Sequence, residues 1–326
     1  MLAGSMDLSA EWSVVVGSSP WHEVEEHAKI LAAAFEKATG ERTAVIAEAT
    51  WNVRGPAILV GDTAAAREAG LLEKDMQESE TYAIRGSRER YVVNGKGPAG
   101  KVFAIYEFLS KVLDAEVLDA WTFDVRPANA AKLPTIDICR RPDFRRRHLT
   151  GPCWTGLYNL GAALKVTSAK LPNPQWGAPR TCHSFYEYQK RWPKERKDWL
   201  AKDENGETRI LTGHNGPCFC LSNREAKDFF KKQLLDFIRS DRKKFAKMGL
   251  PAPTLYNVTQ NDACGYFCKC PECAAVTASR GDSALLLDFI NELADAVRVP
   301  YPDILIETFA YEFTSEPPLE SVVARR

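Results

Sequence analysis

Apolar and polar positions alternate in two ways along this chain, and the change of period maps its elements. Residues 12–17 (WSVVVG) form a short β-rich run that reads as a strand. Ser19-Pro20 reads as a helix start, with a capping side chain followed by Pro at the first helical position. Val24, Ala28, Leu31, Phe35 and Ala38 then recur at spacings of three and four, one face of a helix that Gly40 closes. Short apolar runs at 44–47 and 57–60, and a strand pair at 82–85 and 90–94, lead to a helix over 101–113. That helix turns Val102, Ile105, Tyr106, Leu109 and Val112 toward a sheet. This compact α/β unit ends near Pro134.

From residue 141 the texture changes. Residues 145–149 (RRRHL) are placed as a first barrel strand. The stretch 150–216, rich in Trp, Pro, Gly and Asn, reads as long functional loops. A helix over 223–247 carries Phe229, Phe230, Leu234, Phe237 and Ile238. A strand at 254–259, a cysteine-bearing loop, a helix at 283–297 and a strand at 304–311 follow. Strands separated by helices imply parallel pairing through crossovers. The expected class is therefore α/β: a small N-terminal α/β domain over 1–138, then a TIM-type (β/α) barrel over 139–326. A closed barrel needs eight strands and typically about 250 residues. The second stretch offers fewer strand-like runs than that, which fits an incomplete barrel in a truncated chain.

Composition narrows the function classes. At 45% hydrophobic and 26% charged residues the chain is ordinary globular material. Lys+Arg and Asp+Glu balance at 43 each, so no net field steers it to nucleic acid or an acidic membrane. No apolar run is long enough to span a bilayer, and the first residues show no signal peptide. Neither a nucleic-acid nor a membrane partner is expected.

Several groups carry candidate chemistry. Gly95-x-Gly97-x-x-Gly100 follows a strand and opens a helix, the setting of a dinucleotide fingerprint, and Asp114, Glu116 and Asp119 follow it. Pro98 removes an amide that such a loop needs, so close helix–sheet packing is the favoured reading over an NAD-binding oxidoreductase. Of nine cysteines none precedes Cys139, and four fall at Cys264, Cys268, Cys270 and Cys273. These four, with Cys218 and Cys220 as further contributors, are candidate ligands of a structural zinc. Buried thiols are the competing and preferred reading, because Cys268-x-Cys270 is too tight for a zinc knuckle.

Gln260-Asn261-Asp262 stand where an apolar strand ends, the position that carries active-site groups in a (β/α) barrel. An Asp there can serve as general acid or base or orient a reacting amide, while Gln and Asn bind hydroxyls. Tyr311 and Glu312 close the later strand, with Glu307 inside it. His183 lies in the loop-rich region beside Trp154, Trp176, Trp192 and Trp199, rings of the kind that stack on sugars.

Together, Asn261-Asp262, Cys268-x-Cys270-x-x-Cys273, Phe289-Ile290-Asn291, Pro302-Asp303, Thr308-Phe309-Ala310-Tyr311 and Pro317-Pro318 resemble the domain of unknown function numbered 4838. His183-Ser184-Phe185 and Cys220-Leu221-Ser222-Asn223 extend the match. That group includes glycoside hydrolase family 163, endo-β-N-acetylglucosaminidases acting on complex N-glycans. The N-terminal part resembles the α/β domain preceding the barrel in α-glucuronidases and family 20 hexosaminidases. The resemblance implies a glycoside hydrolase acting on N-acetylglucosamine-containing glycans or glycoproteins, without a cofactor and outside the cytoplasm. From their place at the strand ends and in the polar loops, Asp262 is expected as the catalytic carboxylate or its orienting partner, with His183, Gln260, Asn261 and Tyr311 binding sugar. The rival class is a non-catalytic carbohydrate-binding protein. The family's barrel continues past Pro317-Pro318, so later catalytic carboxylates are expected beyond this sequence.

Overall fold

The computed structural model describes residues 12–18, 21–52, 55–118, 123–144, 147, 161, 163–166, 176–262, 264–319, 322 and 324–325. The chain forms two compact units, Met1–Asn173 and Pro174–Arg326, and the α/β class expected from sequence holds. Arg145, Arg146, His148 and Leu149 of the expected strand at 145–149, and also Ser19-Pro20, Asp119 and Trp154, lie outside the described residues.

The first unit is built on a six-stranded sheet ordered β2-β1-β3-β5-β4-β8. Its strands are β1 (Trp12–Val16), β2 (Thr43–Ala47), β3 (Ala57–Val60), β4 (Tyr82–Ser87), β5 (Arg90–Gly95) and β8 (Ile136–Arg140). β2, β1, β3 and β5 run parallel, while β4 is antiparallel to both β5 and β8. A short antiparallel pair, β6 (Glu116–Val117) and β7 (Phe123–Asp124), stands apart. Period-two alternation shows directly in β3: Ile58 and Val60 join one core, Ala57 and Leu59 another. A strand covered on both faces must be apolar throughout, which explains its unbroken AILV run.

Helix α1 (His22–Thr39) buries Val24, Ala28, Leu31, Phe35 and Ala38, the face expected from their spacing. Gly40, at φ 76°, ends it in the left-handed conformation and returns its amide to Glu36 O. The short helix α2 is Ala64–Glu68. Helix α3 (Gly97–Val112) begins four residues earlier than its apolar periodicity indicates, for a reason given below. β8 is an element the periodicity reading passed over. It carries Ile136 and Ile138 against the core and pairs with β4, so the expected division at 138/139 falls inside a strand of the first unit.

The second unit contains α4 (Phe185–Gln189), α5 (Arg224–Lys247), β9 (Leu255–Asn257), α6 (Pro271–Arg280), α7 (Asp282–Arg298) and β10 (Leu305–Glu307). β9 and β10 pair in parallel with Tyr256 opposite Ile306, so their C-terminal ends open on one side. Both are shorter than the apolar runs that announced them, and Tyr311 stands in the chain beyond β10. Helix α6 occupies sequence first read as a loop; Pro271 in its first turn and the left-handed Gly281 set its limits. The core is aromatic. Tyr188 stacks on Phe230 at 3.8 Å between centroids, and Phe185, Phe219 and Phe289 close around them. Trp192 and Trp199 belong to this core, 5.2 Å apart and edge to face, and so are packing groups rather than sugar platforms. No helix among the described residues is long and apolar enough to cross a membrane.

Candidate active site

The mouth formed where β9 and β10 end gathers three of the expected residues. Asp262 anchors its backbone amide on His214 O at 2.8 Å and presents a side chain that is 40% exposed. The Tyr311 hydroxyl donates to Asp262 Oδ1 at 2.7 Å. His183 Nε2 lies 3.8 Å from the same oxygen. His183 Nδ1 meets Gln260 O at 2.9 Å, and a carbonyl can only accept, so Nδ1 carries the proton. The Asp262 carboxylate, by accepting the phenol's hydrogen bond, pushes the Tyr311 pKa up to about 12.

The loops that deliver these groups are held by hydrogen bonds from the strand end. Ser184 links the His183 loop to β9: its hydroxyl donates to Asn257 O and its amide to Thr259 Oγ1. His183 itself adopts φ 52°, left-handed backbone that is uncommon for a non-glycine residue, and Glu312 beside Tyr311 shares it. Strain of this kind persists only where surrounding contacts enforce it. Phe309 and Tyr311 both meet the His183 ring edge to face, at 5.3 and 5.6 Å. His214, its ring 4.6 Å from Tyr186, flanks Asp262 through the backbone bond described above. Tyr186, in the five-residue α4, and His214 and Phe309, in irregular chain, were not singled out as site residues because neither setting is long enough to show a period.

Gln260 and Asn261 do not share the mouth's exposure. Both are fully buried. Gln260 donates to Tyr311 O at 3.2 Å and accepts from the Thr314 hydroxyl at 2.8 Å. Asn261 spends its amide hydrogens on Gln189 Oε1 and Pro217 O, at 2.8 and 2.9 Å. The expectation that they touch sugar gives way to another role: their carboxamides brace the loops that carry Tyr311 and Asp262. Glu307, expected inside a longer strand, ends β10 and accepts the indole N–H of Trp176. Glu312 is exposed.

The glycine turn resolves through packing. A Cβ on Gly95 would stand 2.1 Å from Gly100 C, and one on Gly100 would stand 2.5 Å from Thr81 O. These glycines let α3 approach the sheet. The helix N-terminus, where a pyrophosphate would bind, is taken by the Glu73 carboxylate, which accepts from Gly97 N at 2.9 Å and pairs with buried Lys101. That carboxylate caps the early start of α3, and the arrangement does not fit a dinucleotide. Asp114 forms an exposed pair with Arg126.

The cysteines divide differently from their order in sequence. Cys220, Cys268, Cys270 and Cys273 converge, all buried, with their sulfurs within 4.8 Å of one another. Cys264, expected among the ligands, instead faces Cys218, sulfur to sulfur at 3.0 Å. Burial pushes the Cys218 thiol well above its ordinary pKa, which keeps it protonated and unsuited to nucleophilic work.

Three solved structures are similar in outline. A family GH115 4-O-methyl-α-glucuronidase with specificity for decorated arabinogalactans shares 12% identity over 92% of this chain and 42% of its own, at a TM-score of 0.45. The β-hexosaminidase of Streptomyces plicatus, with GlcNAc bound, shares 12% over 93% and 62%, at 0.40. The β-N-acetylhexosaminidase of Bacteroides fragilis NCTC 9343 shares 14% over 92% and 62%, at 0.40. The chain spans less than two thirds of each of these proteins. A comparison with curated proteins finds no match. Residues 117–326, well over half the chain and the part that carries the whole Asp262 mouth, match the domain of unknown function DUF4838, and the chain belongs to that family.

Proposed function

We propose that this protein is a glycoside hydrolase acting on N-acetylglucosamine-containing glycans, with Asp262 as its working carboxylate. One observation carries the reading: a half-exposed carboxylate, gripped by a tyrosine hydroxyl and faced by a histidine, stands beyond the C-terminal ends of two adjacent parallel strands. Ligand sites in parallel α/β architectures form at that edge. An N-acetyl group on the substrate supplies its own nucleophile, the amide oxygen, an exception to the usual two-carboxylate scheme. Asp262 then accepts the amide N–H and steadies it as positive charge develops. Tyr311 keeps its proton across the working pH range and so remains a donor, while His183 and Phe309 border the sugar. A (β/α) barrel to which β9 and β10 contribute neighbouring strands belongs to the same proposal, as does a place outside the cytoplasm where such glycans are met.

The test is Asp262→Asn, assayed by glycan release from a complex-type glycoprotein and by glycan binding. Loss of about 10²–10⁴-fold in turnover with binding and folding retained is expected. Unchanged turnover would remove Asp262 from the mechanism. Binding without turnover by either protein would establish a carbohydrate-binding protein instead.

A further inference from the structure

We propose that Cys220, Cys268, Cys270 and Cys273 hold one structural zinc ion as four thiolates. Independently of any activity at Asp262, the geometry of the sulfurs carries this. Cys220 Sγ lies 3.6 Å from Cys270 Sγ and 3.8 Å from Cys273 Sγ. Zinc–thiolate bonds of about 2.3 Å in a tetrahedron place neighbouring sulfurs about 3.8 Å apart. A disulfide requires about 2.05 Å, and the spread of the whole set, within 4.8 Å, is that of four ligands around one centre.

The surroundings suit thiolates. Cys268 Sγ accepts from the amides of Lys202 and Cys270 at 3.2 and 3.4 Å, donors that relieve the negative charge of a tetrathiolate site. Cys270 occupies the N-cap position of helix α6 and Cys273 lies in its first turn, where the helix dipole favours anionic sulfur. The Ser222 hydroxyl stands 3.1 Å from Cys273 Sγ, placed to donate once that thiol loses its proton.

The tight Cys268-x-Cys270 spacing ceases to be an objection. Cys270-x-x-Cys273 supplies the knuckle at the helix start, Cys268 reaches in from the loop before it, and Cys220 arrives from a segment fifty residues earlier. The ion would tie that segment and the loop at Cys268 to α6. Four protein thiolates with every sulfur buried leave no open position, the pattern of a structural rather than a catalytic zinc. Binding releases the thiol protons to solvent.

The full chain, produced in zinc-replete medium and dialysed without chelator, should contain one zinc per chain by elemental analysis. Titration with an organic mercurial should release it as the four thiols react. Cobalt exchanged into the site should show the visible absorption and sulfur-to-metal charge transfer of a tetrahedral tetrathiolate. Cys220→Ala and Cys270→Ala should lose the metal to a mild chelator, whereas Cys264→Ala should keep it. Stripping the metal should lower Tm by on the order of 10 °C. Where the alanine variants fail to fold, the mercurial and cobalt measurements on the wild type decide alone. Zinc below a tenth of an equivalent, iron in its place, a disulfide among the four cysteines by mass spectrometry, or full retention of zinc by Cys220→Ala would overturn the assignment.

Discussion

Lowering the pH from 7 to 4 should weaken the first unit through one residue, His27. It lies in α1, fully buried, with Nδ1 3.1 Å from the Tyr106 hydroxyl of α3. Burial disfavours the imidazolium and takes the pKa from 6.5 to about 4, against a small opposing pull from Glu26. The folded pKa lies below the unfolded one, so the unfolded chain takes up the proton first. The contribution is complete above pH 6.5, declines as pH falls toward 4, and changes no further below that. Moving the pKa from 6.5 to about 4 at 1.36 kcal/mol per unit gives about 3 kcal/mol. The assay is hydrogen exchange of the β1 and β3 amides under native conditions, for wild type and His27→Gln, across that pH range. The unfolding free energy of the wild type minus that of His27→Gln should fall by about 3 kcal/mol between pH 7 and 4. Parallel curves, or an NMR titration of His27 with its midpoint above pH 6, would refute the reasoning.

Two further substitutions test how the framework is held. Glu73→Ala strips the α3 N-terminus of its carboxylate and leaves Lys101 buried without that partner. The loss should be roughly 2–4 kcal/mol in urea unfolding of the first unit, discounted because Glu73 is about a third exposed, and calorimetry should still detect no NAD binding. Asn261→Ala should cost about 1–3 kcal/mol by unfolding, from buried acceptors left unmet. Where the protein is active, it should lower turnover through Asp262 placement while sugar affinity changes little; a large loss of affinity with unaltered stability would return Asn261 to the substrate's side.

Local rules were enough to read the helices that bury one face. Val24 through Ala38 and Phe230 through Ile238 repeat at the helical period because each must keep an apolar stripe against a core, and that demand is written in consecutive residues. The apolar β1, β3, β9 and β10 runs were legible for the same reason, as was the polar chemistry that follows β9. Their ends were not. Whether a strand stops at Asn257 or Thr259 depends on which neighbour accepts its hydrogen bonds, and Ser184 Oγ and Glu307 O, which accept from Thr259 N and Val258 N, come from far along the chain.

The partners of polar and sulfur groups belonged wholly to tertiary structure. Gln260, Asn261 and Asp262 are adjacent in sequence, yet the first two are buried as braces and only the third faces the mouth, because Gln189, Pro217 and Thr314 claim the carboxamides. Glu73 caps a helix more than twenty residues away, which no glycine motif announces. Cys220 displaces Cys264 from the four-sulfur cluster because folding, rather than spacing, sets which thiols meet. Periodicity records what a residue must do against an averaged core. A specific partner across fifty residues leaves no period to read, so it appears only when the chain has closed.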